Sequence, residues 1–407
     1  MDAAPGAAVP RRFPAEVGEP MEHRRISRAE LDAMGAFRSP RLRAAFDAVD
    51  REAFAPDRFW GYDTDDHGLH EVVDKHRDEE AWRRTVWGTH RSLILQMDDG
   101  VTPEQGPARG DFTSSISGLD IVFEKLNRLD VRPDSCVLHL GTASGYDSAL
   151  LCELVGDGNV TTVECDPVLA AGGAANLARA GYGPTTVTGD GLVGWPPNAP
   201  YDRIVSTAAV RGVPEAWCAQ AGEGAVVLTP FNTLFAPGGL PRLGVRGGVA
   251  EGRFVGGACY MWARGHRPVR RIDPPDRARK EASVLDPAEV PAGDWADRFA
   301  LGLLLPDVAY ACRGEGEGRR TQLWDEDGTS VAVVRHGAWW LPDAVTVYGR
   351  RNLWAELVRA YTVWRCEGQP HYQRFGLTYD ARGRRLWLDD PAVVLRSSPH
   401  RNGTGWD

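Results

Sequence analysis

Long apolar runs, disulfide-type cysteine patterns and an excess of positive charge are all missing from this chain of 407 residues. No stretch of 18 apolar residues occurs, which excludes a predicted transmembrane helix. The first 20 residues contain no apolar core of a secretory signal, so none is predicted. The formal net charge of −9 argues against a protein whose main task is to hold DNA or RNA phosphates. Neither a nucleic acid nor a membrane is a predicted partner.

Cysteine is sparse and irregularly placed. There are seven cysteines, an odd number, and no two of them are spaced as C-x-x-C. This pattern argues against a disulfide framework and a structural zinc site, so a reducing cytoplasm is the predicted location. The rest of the composition is ordinary, because 43% hydrophobic and 25% charged residues are typical of a globular protein. The length predicts two or three domains.

Composition divides the chain into five predicted segments. Residues 1–23, rich in Pro, Ala and Gly, are predicted to be a disordered N-terminus. Residues 24–110 are predicted to be helical and irregular, with WRRTVWGTHRSLILQM as the only strand-like stretch. The other segments are a nucleoside-binding α/β domain at 111–265, a basic linker at 266–284 and a small α+β domain at 285–407. A solvated linker is favoured over a contact strip for an acidic peptide.

The irregular stretch contains eight Asp and His side chains of types that bind metals. They are Asp63, Asp65, Asp66, His67, His70, Asp74, His76 and Asp78. Their spacing matches neither an EF-hand loop nor a His-Glu-x-x-His helix. A solvated loop is therefore predicted, metal ligation is the alternative, and no metal site is assigned.

Strand-like and helix-like patterns alternate from about residue 111 onward. CVLHLGTASGYDSALLCELV is typical of a buried strand, a turn and a helix, and VTTVECDPVLAAGGAANLARAGYG repeats that order. Further strands are predicted in TTVTGDGL, YDRIVSTAAV and GAVVLTPF, and a helix in GVPEAWCAQA. Such alternation predicts an α/β fold with a parallel, Rossmann-like sheet. RLGVRGGVAEGRFVGGACYMWARG predicts two antiparallel strands added at one edge.

The C-terminal segment is rich in tryptophan, with eight of the 14 in the chain. Its strongest pattern is RRNLWAELVRAYTVWRCEG, a predicted helix with Leu353, Leu357, Tyr361 and Trp364 along one stripe. TSVAVVRHGAWWL and GRRLWLDD predict strands. Most of these tryptophans are predicted to be core residues, although tryptophan is also enriched in recognition surfaces.

Three features at the carboxyl ends of the predicted parallel strands indicate a nucleoside site. The turn LGTASGY opens a helix, so its glycines let a ligand approach free backbone amides. Glu164 ends the second strand, 23 residues after Gly141, where a carboxylate accepts hydrogen bonds from both ribose hydroxyls. Asp190, after the third strand, is placed to accept from an adenine amino group. Because G-x-G-x-x-G and G-x-x-x-x-G-K-[ST] are both lacking, S-adenosylmethionine (AdoMet) is predicted rather than a dinucleotide.

Five stretches resemble the protein-L-isoaspartate O-methyltransferase family in order and spacing. They are DFTSSISGLDIVFEKL, VLHLGTASGYDSALLCELVG, VECDP, GDGLVGWPPNAPYDRIVSTAA and VPEAW. The resemblance covers residues 40–265 and is weakest over 61–110, a region that the family places over the active site. It implies a class I, Rossmann-like AdoMet-dependent methyltransferase fold, and an enzyme that methylates aspartate or isoaspartate carboxylates of proteins or peptides.

The resemblance also implies roles for individual residues. AdoMet is bound by the Gly141–Gly145 turn, Glu164 and the Asp190–Gly191 pair. Ser117 takes the position of the family's active-site Ser, so Ser117 and Ser115 are the predicted catalytic residues, although the pattern alone also fits helix N-capping. The whole predicted cofactor-binding set is Ser114, Ile116, His139, Gly141, Thr142, Ala143, Ser144, Gly145, Glu164, Cys165, Asp190, Gly191 and Thr207.

Three departures from the family pattern stand out. His139 replaces the acid that precedes the Gly-containing turn, and a neutral imidazole accepts from the methionine ammonium more weakly than a carboxylate does. Gly118-Leu119, followed by Asp120, replaces the family's Gln-Pro or Ala-Pro. About 120 C-terminal residues are absent from the minimal repair enzyme.

These departures resemble actinobacterial members that accompany ribosomally made peptides such as lanthipeptides, lasso peptides and graspetides. The phrases GRFVGGACYMWARG, LWAEL and RFGLTYDARGRRLWLDD carry this resemblance. It implies a modified precursor peptide as partner, methylated at an Asp side chain to give an aspartimide (succinimide) or isoaspartate. One alternative is repair of L-isoaspartyl damage in proteins. Another is an AdoMet-binding peptide-recognition module with little catalysis. The sequence leaves the oligomeric state open.

Overall fold

The computed structural model describes residues 20–103, 106–268, 272–290 and 294–398. Most of the predicted disordered N-terminus, residues 1–19, lies outside the described residues, and residues 20–23 belong to the first helix rather than to a disordered segment. Among the described residues, no helix combines the length and apolarity that crossing a membrane requires.

The described ranges contain both helices and strands, numbered in chain order. The α-helices are α1 (Pro20–Ala33), α2 (Pro40–Ala48), α3 (Glu79–Val86), α4 (Leu119–Leu129), α5 (Tyr146–Val155), α6 (Pro167–Arg179), α7 (Glu215–Gln220), α8 (Trp295–Leu304) and α9 (Leu353–Cys366). The strands are β1 (Arg58–Thr64), β2 (His70–Asp74), β3 (Leu93–Met97), β4 (Phe112–Ile116), β5 (Val137–Leu140), β6 (Val160–Glu164), β7 (Thr185–Thr188), β8 (Tyr201–Ser206), β9 (Ala221–Leu228), β10 (Gly239–Arg246), β11 (Val249–Gly257), β12 (Ala278–Glu281), β13 (Val308–Arg313), β14 (Arg320–Asp325), β15 (Val331–Arg335), β16 (Val345–Tyr348), β17 (Phe375–Asp380), β18 (Gly383–Leu388) and β19 (Asp390–Ser398).

The chain forms two compact units, each built from two segments. The first unit is Met1–Asp134 with Thr142–Thr188, and the second is Ser135–Gly141 with Gly189–Asp407. The five segments predicted from composition stay a prediction as domain boundaries.

In the first unit, the stretch predicted to be irregular forms most of a four-stranded antiparallel sheet of order β2-β1-β3-β4. Its core is Trp60, Ile94 and Met97, against which Val72 and Phe112 pack. The strand-like stretch WRRTVWGTHRSLILQM begins inside helix α3, which buries Trp82 and Val86, and ends in strand β3. The predicted strand is thus confirmed only for Leu93–Met97. The expectation of an irregular region was therefore wrong. The strands are short and half-exposed, so their alternation of polar and apolar residues is weak.

The rest of the first unit follows the sequence pattern. Strands β6 and β7 pair in parallel, and β6 is buried along its whole length. Helix α6 begins where Asp166 accepts hydrogen bonds from the amides of Val168 and Leu169, with Pro167 in the first turn. An acidic N-cap followed by proline is a strong helix start, because the cap satisfies free amides and proline needs none. The predicted strand–turn–helix at 160–179 is confirmed.

In the second unit, one sheet runs in the order β19-β18-β17-β11-β10-β9-β8-β5. Strands β5, β8 and β9 are parallel, whereas β10 and β11 are antiparallel additions. The two predicted edge strands are thus confirmed. The C-terminal strands continue this sheet, since β17 pairs with β11 in register from Ala250 opposite Tyr379 to Arg253 opposite Gly376. The segment predicted as one α+β domain therefore supplies strands to two different sheets.

The other sheet of this unit is antiparallel, in the order β12-β16-β15-β14-β13. Helix α9 contacts it with the predicted stripe of Leu353, Leu357, Tyr361 and Trp364, all of which are buried. Strand β12 lies inside the predicted linker and pairs with β16, so part of that segment is a sheet edge rather than a solvated connector. Residues 269–271 of the linker lie outside the described residues.

Candidate active site

In the first unit, the turn Thr142–Gly145 leads directly into helix α5. The Gly145 amide donates to the Thr142 carbonyl at 2.8 Å, and Gly145 is the N-cap of α5 with φ of 95°. A Cβ atom there would lie 2.9 Å from Leu177 Cγ, so only glycine fits this position. Ala143 also has a positive φ, of 43°. Non-glycine residues held in this region are strained, and such strain clusters at functional sites.

The Glu164 carboxylate is fixed at the end of β6 by two backbone amides. Its Oε2 accepts from the Ala143 amide at 3.0 Å, and its Oε1 accepts from the Asp166 amide at 3.1 Å. The residue is only 7% exposed. Because each carboxylate oxygen has two lone pairs, one acceptor position on each oxygen remains for a ligand. The predicted pairing of the turn with Glu164 is present, and the remaining acceptor positions of the carboxylate fit the two hydroxyls of a ribose.

The other predicted residues of the turn region divide into buried and exposed side chains. Thr142 and Ser144 are buried, and the Thr142 hydroxyl is hydrogen-bonded to that of Thr162 at 2.6 Å. The Ser144 carbonyl accepts from the Asn176 side-chain amide at 3.0 Å. Cys165, between Glu164 and Asp166, is exposed. Thr142 and Ser144 thus hold the turn in shape, and their predicted contact with a cofactor stays a prediction.

The segment Ser114–Ser117 follows the alternation of strand β4. Ser114 and Ile116 are buried, whereas Ser115 and Ser117 are half-buried. Among the described residues, no hydrogen-bond partner is found for the buried Ser114 hydroxyl. Helix α4 is capped by Gly118 without any side-chain hydrogen bond. The alternative that Ser115 or Ser117 caps this helix is therefore wrong, which leaves the Ser117 hydroxyl available to a substrate.

Arg51, which sequence reasoning missed, contacts this segment. Its Nη2 donates to the Ser117 carbonyl at 2.8 Å and its Nε donates to the Val86 carbonyl at 2.7 Å. The guanidinium also lies 4.8 Å from the ring centre of Tyr146, the residue after the turn. The only sequence feature that marks Arg51 is its position shortly after helix α2. Arginines at such positions are too common to indicate a functional site.

In the second unit, Gly141 and Thr207 lie against each other. The Thr207 hydroxyl donates to the carbonyls of Leu140 and Gly141, at 3.0 and 2.9 Å. A Cβ atom on Gly141, whose φ is 98°, would lie 2.2 Å from the Thr207 Oγ1. The Thr207 hydroxyl is thus used to shape the backbone, so a direct role in cofactor binding has no support from these bonds. His139, on β5, is 1% exposed.

Asp190 and Gly191 begin an ordered loop of the second unit. The Asp190 Oδ1 accepts from the Leu192 amide at 2.9 Å, and the carboxylate is exposed. The Gly191 carbonyl accepts from the Trp217 indole at 2.8 Å. An exposed carboxylate with one free oxygen is able to accept from an amino group, as the adenine assignment requires.

His266, near this loop, is expected to make the protein acid-sensitive. Its ring Nδ1 accepts from the Arg211 amide at 3.4 Å. Burial, with the Arg211 cation, lowers the pKa of His266 from 6.5 to about 4, while Asp190 and Glu326 oppose the shift. The unfolded state therefore binds the proton first as pH falls, and stability is lost between pH 6.5 and 4. Because the ring is not fully buried, we expect a loss of about 2 kcal/mol in the free energy of unfolding.

Urea unfolding of wild type and His266→Asn at pH 7 and pH 4.5 measures this contribution. Asn keeps a hydrogen-bond acceptor for the Arg211 amide but does not titrate. Between pH 7 and pH 4.5, the free energy of unfolding of the variant should fall by about 2 kcal/mol less than that of the wild type. Equal losses would assign the acid sensitivity to other groups.

The predicted polar run in residues 63–78 lies mostly on the β1–β2 hairpin. Asp65 closes its turn by accepting from the amides of His67 and Leu69, both at 2.8 Å. Asp63 pairs with Arg91. Over the part of the chain that the structure describes, no group of three or more His, Cys, Asp or Glu side chains has the arrangement of a metal site.

Comparisons with known proteins agree with this geometry. Residues 104–236 match the sequence model of the protein-L-isoaspartate (D-aspartate) O-methyltransferase family. A protein-L-isoaspartate O-methyltransferase of Methanoculleus marisnigri is 40% identical over 148 residues, which is 36% of this chain and 66% of that protein. The enzyme of the same name from Ignicoccus hospitalis is 42% identical over 120 residues, or 29% of this chain and 57% of that one. The matches thus span less than two thirds of these relatives.

A solved protein-L-isoaspartate O-methyltransferase covers 90% of this chain and all of its own, with a TM-score of 0.52 and 18% identity. At this identity the likeness establishes the fold, so the predicted Rossmann-like methyltransferase fold is confirmed. A match over 90% of the chain extends beyond residue 284. In sequence, residues 104–236 are thus similar to the protein-L-isoaspartate O-methyltransferase family.

Proposed function

We propose that this chain is an AdoMet-dependent O-methyltransferase that acts on an aspartate-derived carboxylate of a protein or peptide. Two observations on the first unit carry the proposal. The Glu164 carboxylate is held against the Thr142–Gly145 turn, and the Ser117 hydroxyl is not used to cap helix α4. The family match of residues 104–236 and the names of the relatives support it.

The residues of this chain would divide the work between binding and positioning. When bound, AdoMet supplies an electrophilic methyl group. Glu164 would accept hydrogen bonds from its ribose, and the backbone amides of the Thr142–Gly145 turn would lie beside it. The Ser117 hydroxyl orients the substrate carboxylate by donating one hydrogen bond. Bound AdoMet would thus be the methyl donor, and the substrate carboxylate would be the acceptor.

No strong general base is needed for this reaction. An aspartyl carboxyl has a pKa of about 4, so at pH 7 the nucleophile is already ionised. The chain therefore contributes mainly through proximity and orientation, which lower a barrier by about 7–11 kcal/mol in favourable cases. A hydroxyl at Ser117 suffices, because its task is to orient rather than to take a proton.

The comparisons favour isoaspartyl residues of damaged proteins as the substrate class, since the relatives bear that activity in their names. A second candidate is an ordinary L-Asp in a ribosomally made, modified peptide. Gly118-Leu119-Asp120 next to Ser117, in place of the Gln-Pro or Ala-Pro of the family that the chain resembles, supports this second candidate. In that case the following backbone nitrogen attacks the new ester carbonyl, methanol leaves and a succinimide closes.

Mass spectrometry with AdoMet distinguishes these substrates. We would compare a linear isoaspartyl peptide with a cyclised peptide that contains L-Asp, each with and without enzyme. A gain of one methyl group on the isoaspartyl peptide only would assign the repair class. A transient methyl followed by loss of methanol from the L-Asp peptide would assign aspartimide formation. If neither peptide gains a methyl while AdoMet still binds, the chain is a recognition module and the catalytic proposal fails.

A further inference from the structure

Arg51 is a buried cation whose position the proposed reaction does not yet explain. It is 0% exposed, and no carboxylate of the described residues lies within ion-pair distance of it. The nearest acids, Asp120 and Asp147, have other partners, since Asp120 bonds His90 at 2.9 Å and Asp147 bonds Lys125 at 3.3 Å. A charge buried without a counter-ion destabilises a fold unless its hydrogen bonds compensate.

Arg51 is compensated only in part, because its buried Nη1 has no hydrogen-bond partner among the described residues, and its two hydrogen bonds connect separate elements of the first unit. Its Nε donates to the Val86 carbonyl at the end of α3, where a helix has no partner of its own for that carbonyl. Its Nη2 donates to the Ser117 carbonyl, next to the proposed active-site hydroxyl. One rigid guanidinium thus fixes the distance between the end of α3 and Ser117, which a flexible ammonium cannot do.

The third contact of Arg51 leads to the cofactor turn. Tyr146 is the first residue of α5 and follows Gly145 directly. Its ring centre lies 4.8 Å from the Arg51 guanidinium and 6.0 Å from the centre of the Phe54 ring. Burial raises the pKa of Tyr146 to about 12, so the phenol is neutral and the cation faces an intact ring. Arg51 therefore links the Ser117 segment to the first residue of helix α5, which directly follows the turn.

We infer that Arg51 is a positioning residue that places Ser117 relative to the Thr142–Gly145 turn. The inference rests on the proposed function, because it assigns Arg51 to act through the Ser117 segment. Arg51 does not touch substrate; it fixes the backbone from which the Ser117 hydroxyl projects. A displacement of about 1 Å of an orienting group lowers rate by about 10²-fold, so loss of this contact should be visible in catalysis.

The test compares Arg51→Met with a matched control, Arg41→Met. Arg41 also bridges two backbone carbonyls of the same unit, those of Val131 and Leu154, away from Ser117. We expect both variants to lower Tm. Only Arg51→Met should lower kcat/KM for the peptide that the wild type methylates, by about 10²-fold. The Kd for AdoMet should change by less than about threefold. Equal effects of both variants on kcat/KM would make Arg51 a purely structural residue and overturn the inference.

A double-mutant cycle with Ser117→Ala decides whether Arg51 acts through Ser117. In the Ser117→Ala background, Arg51→Met should lower kcat/KM by less than about threefold, because the group it positions is gone. Full additivity would contradict the inference. If Arg51→Met does not fold, Arg51→Lys keeps the charge but cannot bridge both carbonyls, and an unchanged kcat/KM in that folded variant would also contradict it.

A readout without turnover separates this inference from the proposed function. Hydrogen–deuterium exchange of residues 112–119 should be faster in Arg51→Met than in Arg41→Met at matched distance below Tm. If wild type methylates no peptide, the proposed function fails while the exchange result still reports on the Arg51 contact. If wild type is active but exchange and kcat/KM are the same in both variants, the inference alone fails.

Discussion

Replacing Ser117 with Ala is expected to lower kcat/KM for the peptide substrate by about 10²-fold while AdoMet still binds. The Ser117 hydroxyl caps no helix and, within the described ranges, has no hydrogen-bond partner, so its removal leaves the fold intact. A hydrogen bond from a neutral donor to a charged acceptor contributes about 1.5–3 kcal/mol, and loss of orientation adds to that. Methyl transfer measured by mass spectrometry, with AdoMet binding by calorimetry, checks both halves of this expectation.

Ser39→Ala is the matched control for this change. The Ser39 hydroxyl accepts from the Leu42 amide and caps α2 in the same unit. Its loss should lower the free energy of unfolding by about 1 kcal/mol and leave kcat/KM unchanged. Full activity of Ser117→Ala would refute the active-site assignment, whereas a parallel loss in both variants would point to destabilisation rather than to chemistry.

The second large effect is expected from Glu164→Ala on AdoMet affinity. The carboxylate is proposed to accept from two ribose hydroxyls, each bond to a charged acceptor being stronger than a neutral one. Its removal also leaves the amides of Ala143 and Asp166 without their acceptor, so the turn loses its support. We expect Kd for AdoMet to rise by about 10²–10³-fold, since two charge-assisted hydrogen bonds at about 1.5–3 kcal/mol each are lost in part.

Glu153→Ala tests whether this effect is local. Glu153 belongs to the same unit and accepts from the Tyr182 hydroxyl at 2.9 Å, on helix α5. Its removal deletes the same charge and the same number of atoms, and Kd for AdoMet should stay within about twofold. Unchanged affinity in Glu164→Ala would count against the ribose assignment, because the first unit would then hold the cofactor by other groups.

Strong periodicity made some elements predictable from sequence. Two such predictions were confirmed: the strand, turn and helix around Gly145, and the buried stripe of Leu353, Leu357, Tyr361 and Trp364. A long apolar pattern fits only one secondary structure that buries all of its apolar residues on one face. Strands β1 and β2 were missed for the opposite reason. Strand β2, with the sequence HEVVD, has no residue that is fully buried. Of its residues, Val72 packs against the cluster of Trp60, Ile94 and Met97, which β1 and β3 supply.

The candidate site shows a similar division. Glu164 was predictable, since an acid at the end of a second parallel strand has a fixed place in this kind of fold. Arg51 was not, because its partners lie 35 and 66 residues away and no motif surrounds it. Thr207 was assigned to cofactor binding only from its matching position in the family. In the structure its hydroxyl donates to the carbonyls of Leu140 and Gly141. Gly118, not a serine, caps α4, and a single sequence offered no means to choose between them.

The close approach of helix α6 to the cofactor turn has a consequence for how this turn can be transplanted or redesigned. A Cβ atom on Gly173 of helix α6 would lie 2.5 Å from the Ala143 carbonyl oxygen. The turn can therefore keep its shape only where the helix surface has no side chain. The curvature of the turn thus depends partly on helix α6, which follows the turn after helix α5 and strand β6. A designer who grafts Thr142–Gly145 onto another scaffold would also need to bring a glycine on the facing helix, or the turn would open.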